Sequence, residues 1–421
     1  MNSQTYYGEY TLKHWINLIL KEDIKLPEYQ RSFVWSEKSV LKLIESLKDG
    51  QFIPPVTIAH YQPPTGSMTN LILDGQQRLT SILLAYLGFF PNKSKFSTID
   101  TVATDDDSNE NEDGENEDIT KRRIGWTYED LPLKDTNIAD ALQPIRERLA
   151  NDDKYCPLQI YFEQQSKEDF FENTYLGFSY IVPHSQDDKD IQKFFSQMFR
   201  NMNYLGQKLS PIESRRSLYY LNIDFVEYFE GRINGNDILC DIKIVENMIP
   251  CEIDFVRYLS ILSQYYVLKR ANKVMVGYSA YSSRETFYAD YVSYLVGLEQ
   301  SDRPEKFANF NFLTTFPNQC WKGRFEQIRL CLESQKAQIE QLSERNSFAS
   351  WIDADYWLFG LIYWTLFENK TINFTPELAN GITNAINESK SDERYSKTPN
   401  LLHNLRERVQ ESINIYKNHA Q

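Results

Sequence analysis

Apolar residues at Leu12, Trp15, Ile16 and Ile19 repeat at helical spacing, which predicts a helix over Tyr6–Leu20. Val40, Leu43, Ile44 and Leu47 keep the same i, i+3, i+4, i+7 pattern. Ser36 is a good N-cap for that second helix, and Gly50 closes it. Between the two, Pro27 disfavours helix, so Ile24–Trp35 reads as extended chain or a turn carrying Gln30 and Arg31 beside large aromatics. Val56–Ala59 and Leu71–Leu73 are short apolar runs bounded by prolines, turn residues and Gly75, and read as strands. Leu79, Ile82, Leu83 and Tyr86 then mark a helix that packs one face on a sheet and ends at Gly88 and Pro91. Two strands and a helix in so short a span predict a small α+β domain.

Leu158–Phe162 reads as a further strand of the same sheet, with a helix from Ser166 after it. Phe194, Phe195, Met198 and Phe199 form a helical stripe. Ser210 and Glu213 make a capping box with Pro211 at the first helical position, so Gly206–Leu209 is a turn. Beyond about residue 225 the pattern is largely helical, over Phe255–Leu268, Glu285–Leu298, Trp321–Leu342, Trp351–Phe367 and Leu401–Tyr416. The expected organisation is an α+β domain over 1–225 and a helical domain over 226–421.

Composition narrows this picture. The 421 residues are 41% apolar and 25% charged, the profile of a globular protein with room for two or three domains. The 27 tyrosines and 25 phenylalanines predict aromatic cores. Met1–Tyr10 is too polar for a signal peptide, and no uncharged run of about 18 residues is present to span a bilayer. Trp357–Phe367 is short and follows Asp353 and Asp355, so it reads as a buried helix. The five cysteines are scattered without a CxxC pair, which argues against a disulfide framework or structural zinc and fits a reducing cytoplasm. The five histidines are equally dispersed, and His403–Asn404 has no second histidine at a spacing that would build a His-Asn-His nuclease.

The net charge of −14 excludes a constitutive, non-specific grip on nucleic acid. Nine of the acids lie in Asp105–Asp118, and removing them leaves about −5 elsewhere, which permits a local basic groove. The surrounding polar stretch, 96–121, cannot bury enough apolar surface to order itself and is expected to be a disordered acidic insertion.

The candidate chemistry centres on Asp74-Gly75-Gln76-Gln77-Arg78. A strand, a glycine turn and a helix start place orphan backbone N–H groups, two amides, an acid and a guanidinium together, and helix starts attract anions. A phosphate-bearing ligand is the first expectation. Asp74 either ends the strand and caps the helix or binds Mg²⁺ and orients water. Gln76 and Gln77 have no packing reason to stand together, which favours ligand contact. Arg78 either pairs with Glu213 or grips a phosphate bidentately. Neither a Walker A sequence nor GxGxxG is present, which excludes the common phosphate loops.

Three motifs in order carry a resemblance. They are Leu26-Pro27-x-x-Gln30-Arg31-x-x-x-Trp35, then Asp74-Gly75-Gln76-Gln77-Arg78-Leu79, then Phe199-x-x-Met202-Asn203-x-x-Gly206-x-x-Leu209-Ser210-x-x-Glu213. This set resembles the N-terminal domain of GmrSD-type restriction enzymes, domain of unknown function 262, in the ParB/sulfiredoxin-like group. The resemblance implies a small mixed sheet with helices, followed by a mostly helical extension. It implies a nucleoside triphosphate pocket in which the Asp-Gly-Gln-Gln-Arg motif serves hydrolysis. Asp74, Gln76, Gln77 and Arg78 would be catalytic, with Asp74 holding Mg²⁺. Gln30, Arg31, Gly75, Asn203 and Glu213 would bind nucleotide. Relatives act in phage defence by sensing modified DNA, and a C-terminal His-Asn-His domain cuts it. The histidines such a nuclease needs are missing here, so DNA and a separate nuclease subunit are the inferred partners, with oligomerisation open. The competing expectation is a clamp that binds nucleotide or DNA without hydrolysis and recruits an effector nuclease.

Overall fold

The computed structural model describes residues 3–26, 33–61, 69–92, 95–96, 102–103, 126–128, 131, 138–162, 166–183, 190–191, 194–195, 198, 211–220, 222–246, 249–278, 283–298, 307, 309–342, 347–393, 395, 398–399 and 401–421. In chain order the first elements are β1 (Ser3–Thr11), α1 (Leu12–Leu20), β2 (Ile24–Lys25), α2 (Glu37–Lys48), β3 (Val56–Tyr61), β4 (Thr69–Asp74) and α3 (Gln76–Leu87). Then come β5 (Phe89–Pro91), β6 (Val102–Ala103), α4 (Ile138–Ala150), β7 (Tyr155–Pro157), α5 (Lys167–Asn173) and β8 (Tyr175–Pro183). The chain divides into two compact units. One lies within Met1–Tyr220; the other runs from Leu221 to Gln421 and also takes in β6.

The first unit is built on a mixed five-stranded sheet of order β1-β8-β3-β4-β2. β1 and β8 pair antiparallel along their whole length, β8 and β3 run parallel, and β3 and β4 run antiparallel. The helix expected over Tyr6–Leu20 therefore splits at Thr11. Tyr and Thr favour a pleated surface, and pairing with β8, distant in sequence, takes Ser3–Thr11 into the sheet. The Thr11 hydroxyl then accepts from His14 N at 3.1 Å and starts α1. Its stripe of Leu12, Trp15, Ile16 and Ile19 is buried, and the Trp15 indole donates to the Leu176 carbonyl at 3.1 Å.

The strand expected at Leu158–Phe162 is absent. The neighbouring Tyr155–Pro157 pairs instead with β5 in a separate two-stranded ribbon, and Leu158 is tied to Gly88 by a backbone hydrogen bond. The strand that joins the sheet is β8, whose alternation is blurred because most of it is only half-buried. α3 is buried nearly all round, Thr80 and Ser81 included, so it is the central helix of the unit rather than one resting a single face on the sheet. α1, α2 and α3 pack with the sheet into one apolar core. Ser36 and Ser166 cap α2 and α5 as their sequence positions predict.

The second unit is mostly helical, as expected. Helices occupy Phe255–Leu268, Arg284–Leu295, Trp321–Leu342, Trp351–Ile362, Pro376–Ser391 and Leu402–Lys417, and a π-helical turn extends the fourth over Tyr363–Phe367. Its aromatic core includes Tyr228, which sits among Phe229, Phe312, Phe316, Trp321 and Phe325. A four-stranded sheet accompanies the helices, formed by Lys243–Glu246, Ile249–Ile253, Ser347–Phe348 and β6. Val102–Ala103, within the acidic stretch, thus pairs parallel with Glu252–Ile253; the remainder of 97–121 lies outside the described residues.

Candidate functional site

The Asp74–Arg78 turn joins the end of β4 to the start of α3. Thr57 pairs with Asp74, and a register irregularity follows at Thr57/Ile58 where the sheet meets the turn. Gly75 takes φ +97° as the N-cap of α3. A Cβ there would lie 2.9 Å from Val56 Cγ2 and 3.2 Å from Val56 Cα, so conformation and space both demand glycine. With no side chain on its cap, α3 starts with no capping hydrogen bond from Gly75, and its first-turn N–H groups have no acceptor within the helix.

The Arg78 guanidinium folds back across this turn. Its Nη2 donates to Asp74 Oδ2 at 2.7 Å and to the Pro55 carbonyl at 3.3 Å. Its Nε is buried without a hydrogen-bond partner among the described residues. Arg78 thus pairs with Asp74; the Glu213 side chain, the partner considered from sequence, lies outside what is described. Asp74 is exposed, so the pair faces solvent from the carboxylate side. Sequence reasoning missed the Pro55 carbonyl and the Val56 wall; the Pro54-Pro55 dipeptide, which fixes extended backbone there, was the available signal.

Gln76 and Gln77 are both buried. The Gln77 Oε1 accepts from Val34 N at 2.9 Å and from Trp35 N at 3.3 Å. That amide oxygen therefore holds the segment that follows Gln30 and Arg31 against α3. It positions the first motif against the second, a role sequence spacing did not reveal. Gln30, Arg31 and Asn203 lie outside the described residues. Glu213 lies in the short helix Pro211–Arg216, of which its backbone alone is described.

Among the described residues, a metal centre built only from protein ligands has no basis at this turn. No cluster of three or more His, Cys, Asp or Glu suited to a metal ion exists among the described residues. Asp74 supplies one carboxylate, and Arg78 holds one of its two oxygens. That donor set suits Mg²⁺ only in its usual nucleotide mode, where one or two carboxylates, waters and phosphates share the ion.

Residues 12–220 match the family model described as GmrSD restriction endonuclease, N-terminal domain. The chain belongs to that family. The match spans all three motifs and the whole mixed sheet after β1. A relative described as the uncharacterized protein MJ0686 of Methanocaldococcus jannaschii is 26% identical over 55% of this chain and 46% of its own length. This chain thus spans less than half of that relative. No solved structure matches. Among the described residues, no helix is long and apolar enough to cross a membrane.

Proposed function

We propose that the GmrSD N-terminal unit binds a nucleoside triphosphate at the Asp74–Arg78 turn and hydrolyses it, coupling nucleotide state to DNA sensing in a cytoplasmic restriction system. The observation that carries this reading is the solvent-facing Asp74–Arg78 pair at the glycine-capped start of a buried helix. Arg78 is pre-folded over the turn and offers donors to a phosphate, with Arg31 as a second cation from the first motif. The first-turn N–H groups of α3 add dipole and hydrogen bonds to the same anion. Gln76 lines the turn, and Gln77 holds the 33–35 segment, which follows Gln30 and Arg31 in the chain. Asn203 and Glu213 complete the pocket from the third motif. Bound Mg²⁺ would neutralise phosphate charge, with Asp74 as its protein ligand or as the group that orients the attacking water.

A specific observation favours the second reading, a non-hydrolysing clamp that recruits a separate effector nuclease. The one carboxylate of the turn already has one oxygen held by Arg78, which leaves it less free to orient a water. Phosphate release from each of the four ribonucleotides, with and without DNA, decides between the two. Turnover lost in Asp74→Ala and Arg78→Ala supports hydrolysis. Tight nucleotide binding by calorimetry without turnover supports the clamp, and no binding at all removes both.

A further inference from the structure

The other end of α3 carries a second concentration of positive charge. Tyr86 is buried in the last turn of α3, and three cations from three other elements surround its ring. The Lys13 ammonium from α1 lies 4.2 Å from the ring centroid and donates to the Tyr86 hydroxyl. The Arg146 guanidinium from α4 lies at 5.2 Å and donates from Nη2 to the Tyr86 carbonyl at 2.8 Å. The Lys167 ammonium from α5 lies at 5.8 Å, beside Gly88 at the helix end.

Among the described residues, no carboxylate forms an ion pair with this cluster. Elsewhere Lys95, Lys269, Lys322 and Lys390 each find a carboxylate, as the acidic composition makes easy. Lys13, Arg146 and Lys167 have no ion pair among the described residues, and Arg146 Nε is buried without a hydrogen-bond partner. The C-terminal dipole of α3 offsets about half a charge, and the aromatic face attracts each cation only weakly. Three like charges held around one ring exceed both. The strain registers on Lys167, whose pKa falls to about 8 through burial and then through Arg146, against a smaller opposing effect of Glu168. An oxyanion with two or more charge-bearing oxygens would relieve it, and the mixed Arg–Lys–Tyr donor set matches phosphoryl oxygens.

We propose that Lys13, Arg146, Lys167 and the Tyr86 hydroxyl form a second phosphoryl-binding site, separate from the Asp74–Arg78 turn. Tyr86 follows Arg78 by eight residues, about 12 Å along the helix axis, so the two sites are distinct points on one element. The phosphoryl group belongs either to a nucleic-acid backbone or to a free phosphate, and the chemistry of capture is the same.

The test uses the full chain with inorganic phosphate and a short DNA duplex as probes. Phosphate should raise the thermal midpoint of the wild-type chain and, because this site is independent of the turn, also of Arg78→Ala. In the Arg78→Ala background the double variant Lys13→Gln/Lys167→Gln should lose that rise, and Lys13→Arg/Lys167→Arg should keep it. If the double variant does not fold, as judged by circular dichroism, Arg146→Gln takes its place with the same expected loss. A folded charge-deleted variant in that background that responds to phosphate like Arg78→Ala alone overturns the site. DNA binding by anisotropy at several salt concentrations then names the source. A slope of log K against log salt smaller by about 2 in the double variant assigns the site to the DNA backbone. An unchanged slope, or no DNA binding, with a lost phosphate response assigns it to free phosphate.

Discussion

Asp74 and Asp355 each hold arginine through a short ion pair, yet their surroundings are opposite. At the turn, the side chains of Arg78 and Asp74 are 16% and 52% exposed, and Arg78 holds one carboxylate oxygen. In the helical unit, Asp355 meets Arg257 and Arg408, and all three side chains are 0% exposed. Arg257 binds it in a fork, Nη1 to Oδ1 at 2.6 Å and Nη2 to Oδ2 at 2.9 Å. Arg408 Nε donates to Oδ2 at 2.8 Å, and the Tyr258 hydroxyl to Oδ1 at 3.0 Å. Arg257 also lies over the Trp351 ring at 4.6 Å, and Arg408 Nη1 donates to the Pro399 carbonyl at 2.5 Å. Burying charges costs several kcal/mol per ion, so such a cluster persists only when its hydrogen bonds are nearly complete. Asp355 is consumed by the fold. Asp74 keeps an oxygen and an open face, and that difference, rather than residue type, is what supports the ligand site proposed at the turn.

The comparison breaks first at its buried side. Asp355→Ala leaves two arginines uncompensated in a sealed core and should cost about 3–5 kcal/mol of stability. Denaturant titration of the full chain measures it, and a loss below about 1 kcal/mol would show that water reaches the cluster. Gly75→Ala comes next. The left-handed φ alone costs about 1–2 kcal/mol, the Val56 overlap adds to it, and nucleotide binding by calorimetry should weaken with the distorted turn. Gln77→Ala leaves the Val34 and Trp35 amides unpaired at a cost of about 1–3 kcal/mol. It should also raise the KM for nucleotide more than it lowers kcat if its role is to hold the first motif in place.

Asp74→Ala is the counterpart of Asp355→Ala and should be nearly silent in stability, within about 1 kcal/mol for so exposed a pair. Phosphate release should nonetheless fall by at least about tenfold. A variant that unfolds as readily as Asp355→Ala would erase the distinction between the two pairs. The smallest effect concerns Lys167, which faces Lys13, Arg146 and Glu168. Its folded pKa of about 8 lies below the ordinary 10.5, so between those values the unfolded chain binds the extra proton and this group's contribution to stability rises with pH. Melting from pH 7 to pH 10 should show a shallower rise for Lys167→Met than for wild type.

Much of the candidate turn was legible in sequence because its causes are local. A strand, glycine and helix start within a few residues specify the positive φ of Gly75 and the Asp74-to-Arg78 spacing that allows the pair. What Gln77 does was not legible. Its amides and Val34 lie 43 residues apart, and an amide that holds backbone looks the same in sequence as one that holds phosphate. The separate ribbon of β5 and β7 and the loss of the strand expected at Leu158–Phe162 have a similar origin, since apolar runs report burial but not which edge they join.

By itself the sequence determined most long helices of the second unit, though not Pro376–Ser391, the serine cap of α2, the start of α5 at Ser166 and the three motifs that place the chain among GmrSD N-terminal domains. These follow from periodicity and from contacts within a turn or two of helix. Only the tertiary structure decided that Ser3–Thr11 is a strand, that β8 completes the sheet, and which aspartate is sealed. Asp355 draws its arginines from 98 and 53 residues away, and its charge is tolerable only because both arrive. Asp74 meets its arginine four residues on and remains open to water, which is why a motif could announce it.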